Sequence, residues 1–262
     1  MEKTILLTII VTTLFFLPFP SNTFLLLTFD TELDLPPILN SSLGVSELNV
    51  LLDFLEEENV KATFFTTSQV SELFPEIVSR IVSDGHELAA HSVNHSNVSA
   101  RNYSDLLSEL SSNILTLSSF NTSVTSFRPP YNQGNPELSL VFEKLGLTVD
   151  GSHKGDFPFF EGDVLFLTSS PLFYPSSVYP VSWVSVFRES LKIQKSKRVK
   201  VVVVGLHPWE LVDLPVVKGF EEYTIPAGNY SWSNLRDLVS YAKSLGVNFV
   251  TASEFYKLFI NS

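Results

Sequence analysis

The chain has 262 residues, contains no cysteine and carries a formal net charge of −11. The absence of cysteine excludes disulfides and thiolate metal sites, so a bound metal would need histidine and carboxylate ligands. The acidic balance argues against a nucleic-acid partner, because the basic residues form only one short cluster, between Lys192 and Lys200. The length fits one large domain with its own core.

The N-terminus resembles an export segment. Glu2 and Lys3 precede an apolar run over residues 4–20, which is followed by a polar turn at residues 20–23. The run is short for a membrane span but fits the core of a signal peptide. No small-x-small pattern precedes Ser21, so an uncleaved membrane anchor stays open, as does a buried first element of the fold. We expect a signal peptide or N-terminal membrane anchor over residues 1–22, a domain over 23–262, and a secreted or cell-surface location.

Short apolar runs and helical periodicity alternate along the rest of the chain. Strands are predicted at 24–29, 62–66, 87–90, 124–127, 147–149, 164–167, 199–206 and 247–250. Helices are predicted at 46–59 with Ser46 as N-cap, and at 104–119, 136–145, 181–194, 234–245 and 253–260. This alternation predicts a parallel sheet or barrel. The segments 151–180, with one short strand, and 212–230 are expected to be loops over its mouth.

Polar signatures follow several of these strands directly. They are Asp30-Thr31-Glu32, His91 to His95, Arg128-Pro129-Pro130-Tyr131, Asp150 and His207-Pro208-Trp209-Glu210. A parallel α/β barrel collects its chemistry at the C-terminal ends of its strands. The order of these signatures therefore indicates an active site at one mouth.

His91 and His95 are the strongest candidate metal ligands. If the strand continued through both residues, their Cα atoms would lie about 13 Å apart, too far to share one ion. If the chain turns helically after His91, the i, i+4 spacing brings both rings onto one face. Taken alone, the spacing favours a pair of incidental surface or core histidines, and the other signatures reverse that preference.

Asp30 follows a fully apolar strand, where a carboxylate is expected only if it is paired or catalytic. Glu32 would point to the same side as Asp30 in an extended chain, so one could bind a metal while the other handles protons. Arg128 is expected to pair with Asp30 or Asp150. The alternatives are that Asp30 caps a turn and that Arg128 forms a structural ion pair.

His207 follows a run of four valines, then Gly205 and Leu206, and is the best candidate proton donor, with a satisfied core histidine as the alternative. His86 precedes its strand, at the wrong end for the mouth. His153 lies in the aromatic loop, where it would touch either substrate or water.

Together these motifs resemble the polysaccharide deacetylase family, the NodB homology domain, over nearly all of residues 24–260. The resemblance implies a single-domain distorted (β/α) barrel with one divalent metal ion. Carried over by position, Asp30 is the general base, His91 and His95 are metal ligands, Arg128 holds the base, Asp150 supports Arg128, and His207 is the general acid. Tyr131 and Trp209 are expected to contact the substrate. Asp156 is an alternative partner for Arg128.

The chain departs from the common family pattern at Thr31, where many members carry an aspartate that binds the metal. It looks instead like the branch with an acidic residue two positions after the base, so Glu32 is assigned as the third ligand. Zinc suits this ligand set best. We expect a metal-dependent deacetylase of N-acetylated sugars in an extracellular or cell-surface polysaccharide. The alternatives are a hydrolase of a small non-sugar amide and a glycan-binding protein that has lost catalysis.

Overall fold

The computed structural model describes residues 22–34, 38–39, 41–155, 157–169 and 178–260. The predicted leader lies outside these residues apart from Asn22. Asp156, the alternative partner of Arg128, and Asn40, the first residue of an Asn-x-Ser triplet, also lie outside them. Among the helices of the described part, none is long and apolar enough to cross a membrane.

A curled, almost entirely parallel sheet forms the centre of the domain. Its strands are β1 (Thr23–Thr31), β2 (Thr63–Thr66), β3 (Glu87–Ala90), β4 (Ser126–Phe127), β5 (Val149–Lys154), β6 (Phe159–Glu161), β7 (Val164–Ser169), β8 (Lys200–Leu206) and β9 (Asn248–Phe249). The strand order is β6-β7-β5-β4-β3-β2-β1-β8, and β9 also pairs with β1. Only the β6–β7 pairing among these is antiparallel.

Helices surround this sheet, and the last of them covers the N-terminal end of the barrel. They are α1 (Leu43–Ser46), α2 (Leu48–Glu57), α3 (Ser68–Leu73), α4 (Pro75–Ser83), α5 (Tyr103–Ser118), α6 (Leu138–Leu145), α7 (Trp183–Ile193), α8 (Glu221–Thr224), α9 (Asn229–Ser244) and α10 (Ala252–Ile260). Two short 3-10 turns, Pro130–Asn132 and Pro208–Leu211, directly follow strand ends.

The two faces of β1 separate an outer core from the barrel interior. Leu25, Leu27 and Phe29 pack outward against the helices. Leu26 points inward and meets buried side chains of β5, β7, β8 and α10, namely Val149, Leu165, Leu167, Val201, Val203, Ala252 and Phe255. Because β7 and β8 stand near opposite ends of the strand order, this shared cluster requires a sheet that curls almost closed. The predicted single-domain distorted barrel is therefore confirmed.

The predicted helix over 46–59 is wrong at its start. Ser46 is the last residue of α1, and Glu47 separates α1 from α2. The N-terminus of α1 is capped from outside the segment: the buried Asp34 carboxylate accepts hydrogen bonds from Leu43 N at 2.5 Å and Gly44 N at 2.9 Å. A cap supplied nine residues upstream leaves no local signal in the helix itself.

Other differences have local causes. The sequence reasoning missed α3 and α4, which begin at the Thr67 N-cap and at Pro75. It also placed loops where β5 extends to Lys154 and where β6 and α8 lie. The helix predicted from Asn234 begins at Asn229, directly after Gly228, whose φ is 77°. These elements are short or sit next to prolines and glycines, where periodicity carries little information.

Candidate active site

Strand register brings the predicted motifs to one rim of the barrel. Phe29 of β1 pairs with Leu206 of β8, so Asp30 and His207 lie at the same depth along the barrel. Ala90 of β3 pairs with Phe127 of β4, so His91 and Arg128 also lie at one depth. Phe127 in turn pairs with Asp150. Parallel pairing alone thus converts positions far apart in sequence into neighbours.

Arg128 is the central connector of the site and is fully buried. Its guanidinium donates from Nη1 to Asp30 Oδ1 at 2.5 Å, from Nη2 to Thr28 Oγ1 at 3.0 Å and from Nε to Gly151 O at 3.0 Å. It also lies 4.2 Å from the ring centroid of Phe65. A guanidinium held on several sides fixes the orientation of the carboxylate that it pairs with.

Asp150 is buried beside this connector. Its carboxylate accepts a hydrogen bond from Ser152 N at 2.8 Å, and the neighbouring Gly151 carbonyl is the acceptor for Arg128 Nε. The strand end that carries Asp150 therefore contacts Arg128 through its backbone.

The chain between His91 and His95 forms an irregular turn and not the helical turn expected from the spacing. Ser92 and His95 both adopt positive φ, 71° and 59°. The turn nevertheless brings the two rings within 5.2 Å of each other, centroid to centroid. The i, i+4 interpretation was right about proximity and wrong about the backbone that achieves it.

Glu32, His91 and His95 form a compact buried cluster whose ligand atoms all lie within 4.8 Å of one another. Glu32 Oε2 is 3.3 Å from His91 Nε2 and 2.6 Å from His95 Nε2. Both Glu32 Oε2 and His91 Nε2 are buried without a hydrogen-bond partner among the described residues. Such orphaned acceptors are rare inside proteins, and a shared cation would satisfy them.

The histidine tautomer also fits a cation. His91 Nδ1 lies 2.7 Å from the Arg128 carbonyl oxygen, which can only accept a hydrogen bond. Nδ1 of His91 therefore carries the proton, and Nε2 turns its lone pair toward Glu32. A histidine that donates its other N–H to a backbone carbonyl is the usual arrangement at metal sites.

The electrostatics of Glu32 agree with this geometry. Burial raises the pKa of Glu32, but the contacts with His91 and His95 and the charge of His207 outweigh it and lower the pKa to about 2. These two contacts fall short of hydrogen-bond geometry, so we ascribe the lowering to proximity and charge. Glu32 is therefore ionised and ready to bind a cation at neutral pH.

His207 faces the same cluster from the end of the neighbouring strand, β8. Its Nε2 lies 3.8 Å from Glu32 Oε1 and 4.0 Å from Asp30 Oδ2. Its Nδ1 lies 3.0 Å from Glu210 Oε2, which also accepts a hydrogen bond from His207 N at 2.7 Å. Burial lowers the pKa of His207, but the hydrogen bond and charge of Glu210, with the charges of Glu32 and Asp30, raise it to about 9. His207 is thus protonated at neutral pH.

The two residues predicted to contact substrate differ in exposure. Tyr131, with φ 61°, is half-exposed, and its ring lies 4.6 Å from the His95 ring. Trp209 is buried and stacks on the His207 ring at 4.6 Å. Trp209 therefore lies behind the His207 ring, while Tyr131 borders the open mouth.

Of the other histidines, His86 lies before β3 and far from the rim, as expected; its Nδ1 accepts a hydrogen bond from Ala62 N at 3.2 Å. The backbone of His153 belongs to β5.

Sequence reasoning missed the role of Glu210, which stood in the His-Pro-Trp-Glu motif without a function. Its sequence signal is a capping-box position, three residues after His207 in a 3-10 turn. The reasoning also missed Asn113 and Glu109, two polar side chains that α5 directs at the His91–His95 turn.

Comparison with known proteins decides the family. Residues 20–149 match the family model described as polysaccharide deacetylase. The chain belongs to this family. It is 34% identical over 84 residues to a peptidoglycan-N-acetylglucosamine deacetylase of Bacillus cereus, which covers 32% of this chain and 30% of that protein. It is also 28% identical over 101 residues to a chitooligosaccharide deacetylase of Sinorhizobium fredii, which covers 38% of this chain and 47% of that protein. The matches thus span less than half of either relative.

Several solved structures resemble this protein over almost the whole chain. A polysaccharide deacetylase-type protein from Mycobacterium smegmatis superposes with a TM-score of 0.72 at 18% identity, covering 92% of this chain and 91% of that one. An allantoinase superposes with a TM-score of 0.69 at 14% identity, covering 92% and 91%. A CE4 family pseudoenzyme from Bacillus anthracis superposes with a TM-score of 0.59 at 15% identity, covering 91% and 66%. At these identities the likeness establishes the fold alone.

Proposed function

We propose that this protein is a metal-dependent deacetylase that hydrolyses the acetamide of N-acetylated sugars in an extracellular or cell-surface polysaccharide. The observation that carries the proposal is one buried cluster of three residues that could hold a metal ion, Glu32, His91 and His95, close to a carboxylate held by Arg128 and to His207, whose pKa is raised. An amide hydrolase needs these three parts: an ion site, a base and an acid.

Glu32, His91 and His95 would hold the ion. A set of two histidines and one glutamate is a known catalytic zinc set, and it leaves positions open for water and substrate. Zinc is therefore our assignment. When bound, a divalent ion polarises an amide carbonyl and lowers the pKa of water.

Asp30 would take the proton from the attacking water. Its Oδ1 is fixed by Arg128, and its Oδ2 is directed toward His207, 4.0 Å from Nε2. Arg128 would keep Asp30 in one orientation throughout the reaction, which lowers the entropic cost of proton transfer. Both partners are buried, so water screens the attraction between their charges only weakly.

His207 would protonate the departing amine. The raised pKa keeps the imidazole protonated at neutral pH, and the Glu210 carboxylate fixes the ring through Nδ1, so that Nε2–H faces the reaction volume. Trp209 packs on the same ring and limits its rotation. Tyr131, half-exposed at the rim, would contact the sugar.

The curated relatives act on N-acetylated glycans by their names, which supports a sugar substrate. The Asp-x-Glu and His-Pro-Trp-Glu motifs favour a second candidate, hydrolysis of a small non-sugar amide on the same fold. A non-catalytic glycan-binding role is the third. Against it stands the intact set of Asp30, Glu32, His91, His95 and His207, because buried charge is costly to keep without use.

A secreted or cell-surface location, through a signal peptide or an anchor in residues 1–22, would place the enzyme beside such a glycan. The side chains of Asn94, Asn97, Asn102, Asn121 and Asn229, each in an Asn-x-Ser triplet, are exposed in the folded domain. That exposure is compatible with export into a glycosylating compartment.

The test combines metal analysis with product release. The purified full chain, loaded with Zn²⁺, is incubated with N-acetylated oligosaccharides and, separately, with small cyclic amides. We expect about one bound ion per chain and acetate release from the oligosaccharides, both lost in the His91→Ala, His95→Ala double variant. Stoichiometric metal in that variant would refute the ligand set. Turnover of the cyclic amides alone would mean that the substrate is a small amide and not a glycan. Metal binding with no turnover of either substrate would favour the non-catalytic binding role.

A further inference from the structure

Helix α5 directs two polar side chains at the turn that carries the histidine ligands. Glu109 and Asn113 lie four residues apart and therefore on one face of the helix. Asn113 Oδ1 accepts a hydrogen bond from His91 N at 2.9 Å, and Glu109 Oε1 accepts one from Val93 N at 2.9 Å. Two backbone N–H groups of the turn are thus fixed by one helix.

Asn113 is fully buried and uses both ends of its amide. While Oδ1 accepts from His91 N, Nδ2 donates to Ser68 Oγ at 3.0 Å and to Thr66 O at 3.3 Å. Asn113 therefore ties the end of β2 and the start of α3 to the first histidine. A buried amide placed in the middle of a helix is otherwise unfavourable, which suggests a specific use.

The carbonyl side of the turn is held by α3. Ser68 N donates to Ser92 O at 3.2 Å, and Gln69 N donates to Val93 O at 2.9 Å. The first N–H groups of a helix have no partners inside the helix, so the turn satisfies them. The turn is consequently bonded through its N–H groups to α5 and through its carbonyls to α3.

Such bonding matters because the turn is strained. Ser92 and His95 hold left-handed φ values of 71° and 59°. Non-glycine residues keep this conformation only where surrounding contacts over-determine it. Loss of a contact would let the backbone relax and would separate the two imidazoles.

We propose that Asn113 and Glu109 are positioning residues that set the affinity of the His91–His95 turn for its metal ion. The inference rests on the proposed metal site and adds to it the origin of its geometry. Neither side chain touches the ligand atoms, so both act through the backbone. Loss of an outer contact of this kind typically lowers metal affinity about 10- to 100-fold.

The test measures Zn²⁺ affinity of the full-length protein by competition with a chromophoric chelator. We expect Asn113→Ala to weaken binding about 10- to 100-fold. Glu109→Ala should also weaken binding, whereas Glu109→Gln should bind nearly as the wild type does, because an amide oxygen can still accept from Val93 N. Comparing Glu109→Ala with Glu109→Gln separates the effect of the hydrogen bond to Val93 N from that of the ion pair between Glu109 and Arg101, whose charged atoms lie 2.9 Å apart.

Gln194 supplies a matched control. It is a buried amide that bonds Val201 N at 2.8 Å and Val201 O at 2.6 Å, at the opposite end of the barrel. We expect Gln194→Ala to lower the melting temperature and leave Zn²⁺ affinity unchanged. Unchanged affinity in Glu109→Ala, or an equal loss in Gln194→Ala, would overturn the positioning role. Should Asn113→Ala fail to fold, the two Glu109 variants decide. A wild-type protein that binds no Zn²⁺ overturns the proposed function itself.

Discussion

The two ends of the barrel each hold a glutamate in a largely buried polar cluster, but the two clusters differ in how fully they are bonded. At the N-terminal end, Glu87 accepts hydrogen bonds from Ser126 Oγ at 2.6 Å, Thr63 Oγ1 at 2.9 Å and Ser253 N at 2.9 Å. At the C-terminal end, Glu32 Oε2 has no hydrogen-bond partner among the described residues. The Glu87 carboxylate is satisfied by hydrogen bonds within the protein, whereas Glu32 Oε2 is available to a group from outside the chain, such as a cation.

We interpret this difference as one between a structural cluster and the proposed metal site. Glu87 connects β3 to β4, to β2 and to the start of α10, which covers the N-terminal end of the barrel with Phe255. Its bonds are complete, so its contribution is stability. Glu32 keeps one unsatisfied oxygen, Oε2, at the rim where α/β barrels carry out chemistry. We therefore expect substitutions at the two ends to affect different measurements.

The largest effect is expected at the C-terminal end. Asp30→Asn keeps an oxygen that can accept from Arg128 but cannot take a proton, so the rate of acetate release should fall about 10²- to 10⁴-fold. Zn²⁺ content should be unchanged, because Asp30 is not one of the three clustered ligands. Steady-state kinetics and metal analysis check this, and undiminished turnover would rule out the base assignment.

A smaller effect is expected from Gly44, which links the Asp34-capped α1 to the His207 loop. A Cβ at Gly44 would lie 2.5 Å from Trp209 Cα and 2.7 Å from Pro208 C. Gly44→Ala must therefore displace the loop, and a shift of about 1 Å at a catalytic group can cost about 10²-fold in rate. Gly134→Ala is the matched control, because nothing lies within 4 Å of its added Cβ. Equal rates for the two variants would contradict this coupling.

At the N-terminal end, stability should change and chemistry should not. Glu87→Ala leaves Ser253 N and two hydroxyl groups without their acceptor, which should lower the free energy of unfolding by about 1–3 kcal/mol. Urea denaturation measures the loss, and Glu57→Ala, on the exposed face of α2, serves as control. Zn²⁺ affinity should stay at the wild-type value. A large fall in affinity would mean that the two ends are coupled.

The smallest effect concerns His86, also at the N-terminal end. Burial, together with the charge of Lys61, lowers the pKa of His86 from 6.5 to about 4. Between pH 6.5 and 4, His86 is protonated in the unfolded chain but not in the folded protein. The free energy of unfolding should therefore fall as the pH drops from 6.5 to 4. His86→Asn keeps an acceptor for Ala62 N and should flatten this part of the stability profile. Parallel profiles for variant and wild type would exclude His86 as the cause.

The hydrophobic periodicity of the sequence predicted the long strands and helices, because each of them buries a continuous apolar face. The run before Asp30, the valines before His207 and helix α5 are examples, although Asn102 caps α5 one residue earlier than expected. The helix predicted from Ser46 was wrong at its start because the helical segment begins earlier, at Leu43, where the Asp34 carboxylate caps α1 from outside the segment. The loop at 151–154 became strand because β7 offers it a partner, with a register shift between Asp150 and His153.

The sequence by itself determined which groups meet at the rim, since each follows an apolar strand and parallel pairing places the C-terminal ends of the strands at the same edge of the sheet. It also indicated the family through the order of those groups. Only the tertiary structure decided how they are held: the strained turn between His91 and His95, its bonds to α3 and α5, and the Glu210 contact that fixes His207. Strand periodicity is a local property of the chain, whereas the satisfaction of a buried polar group depends on partners brought from distant positions.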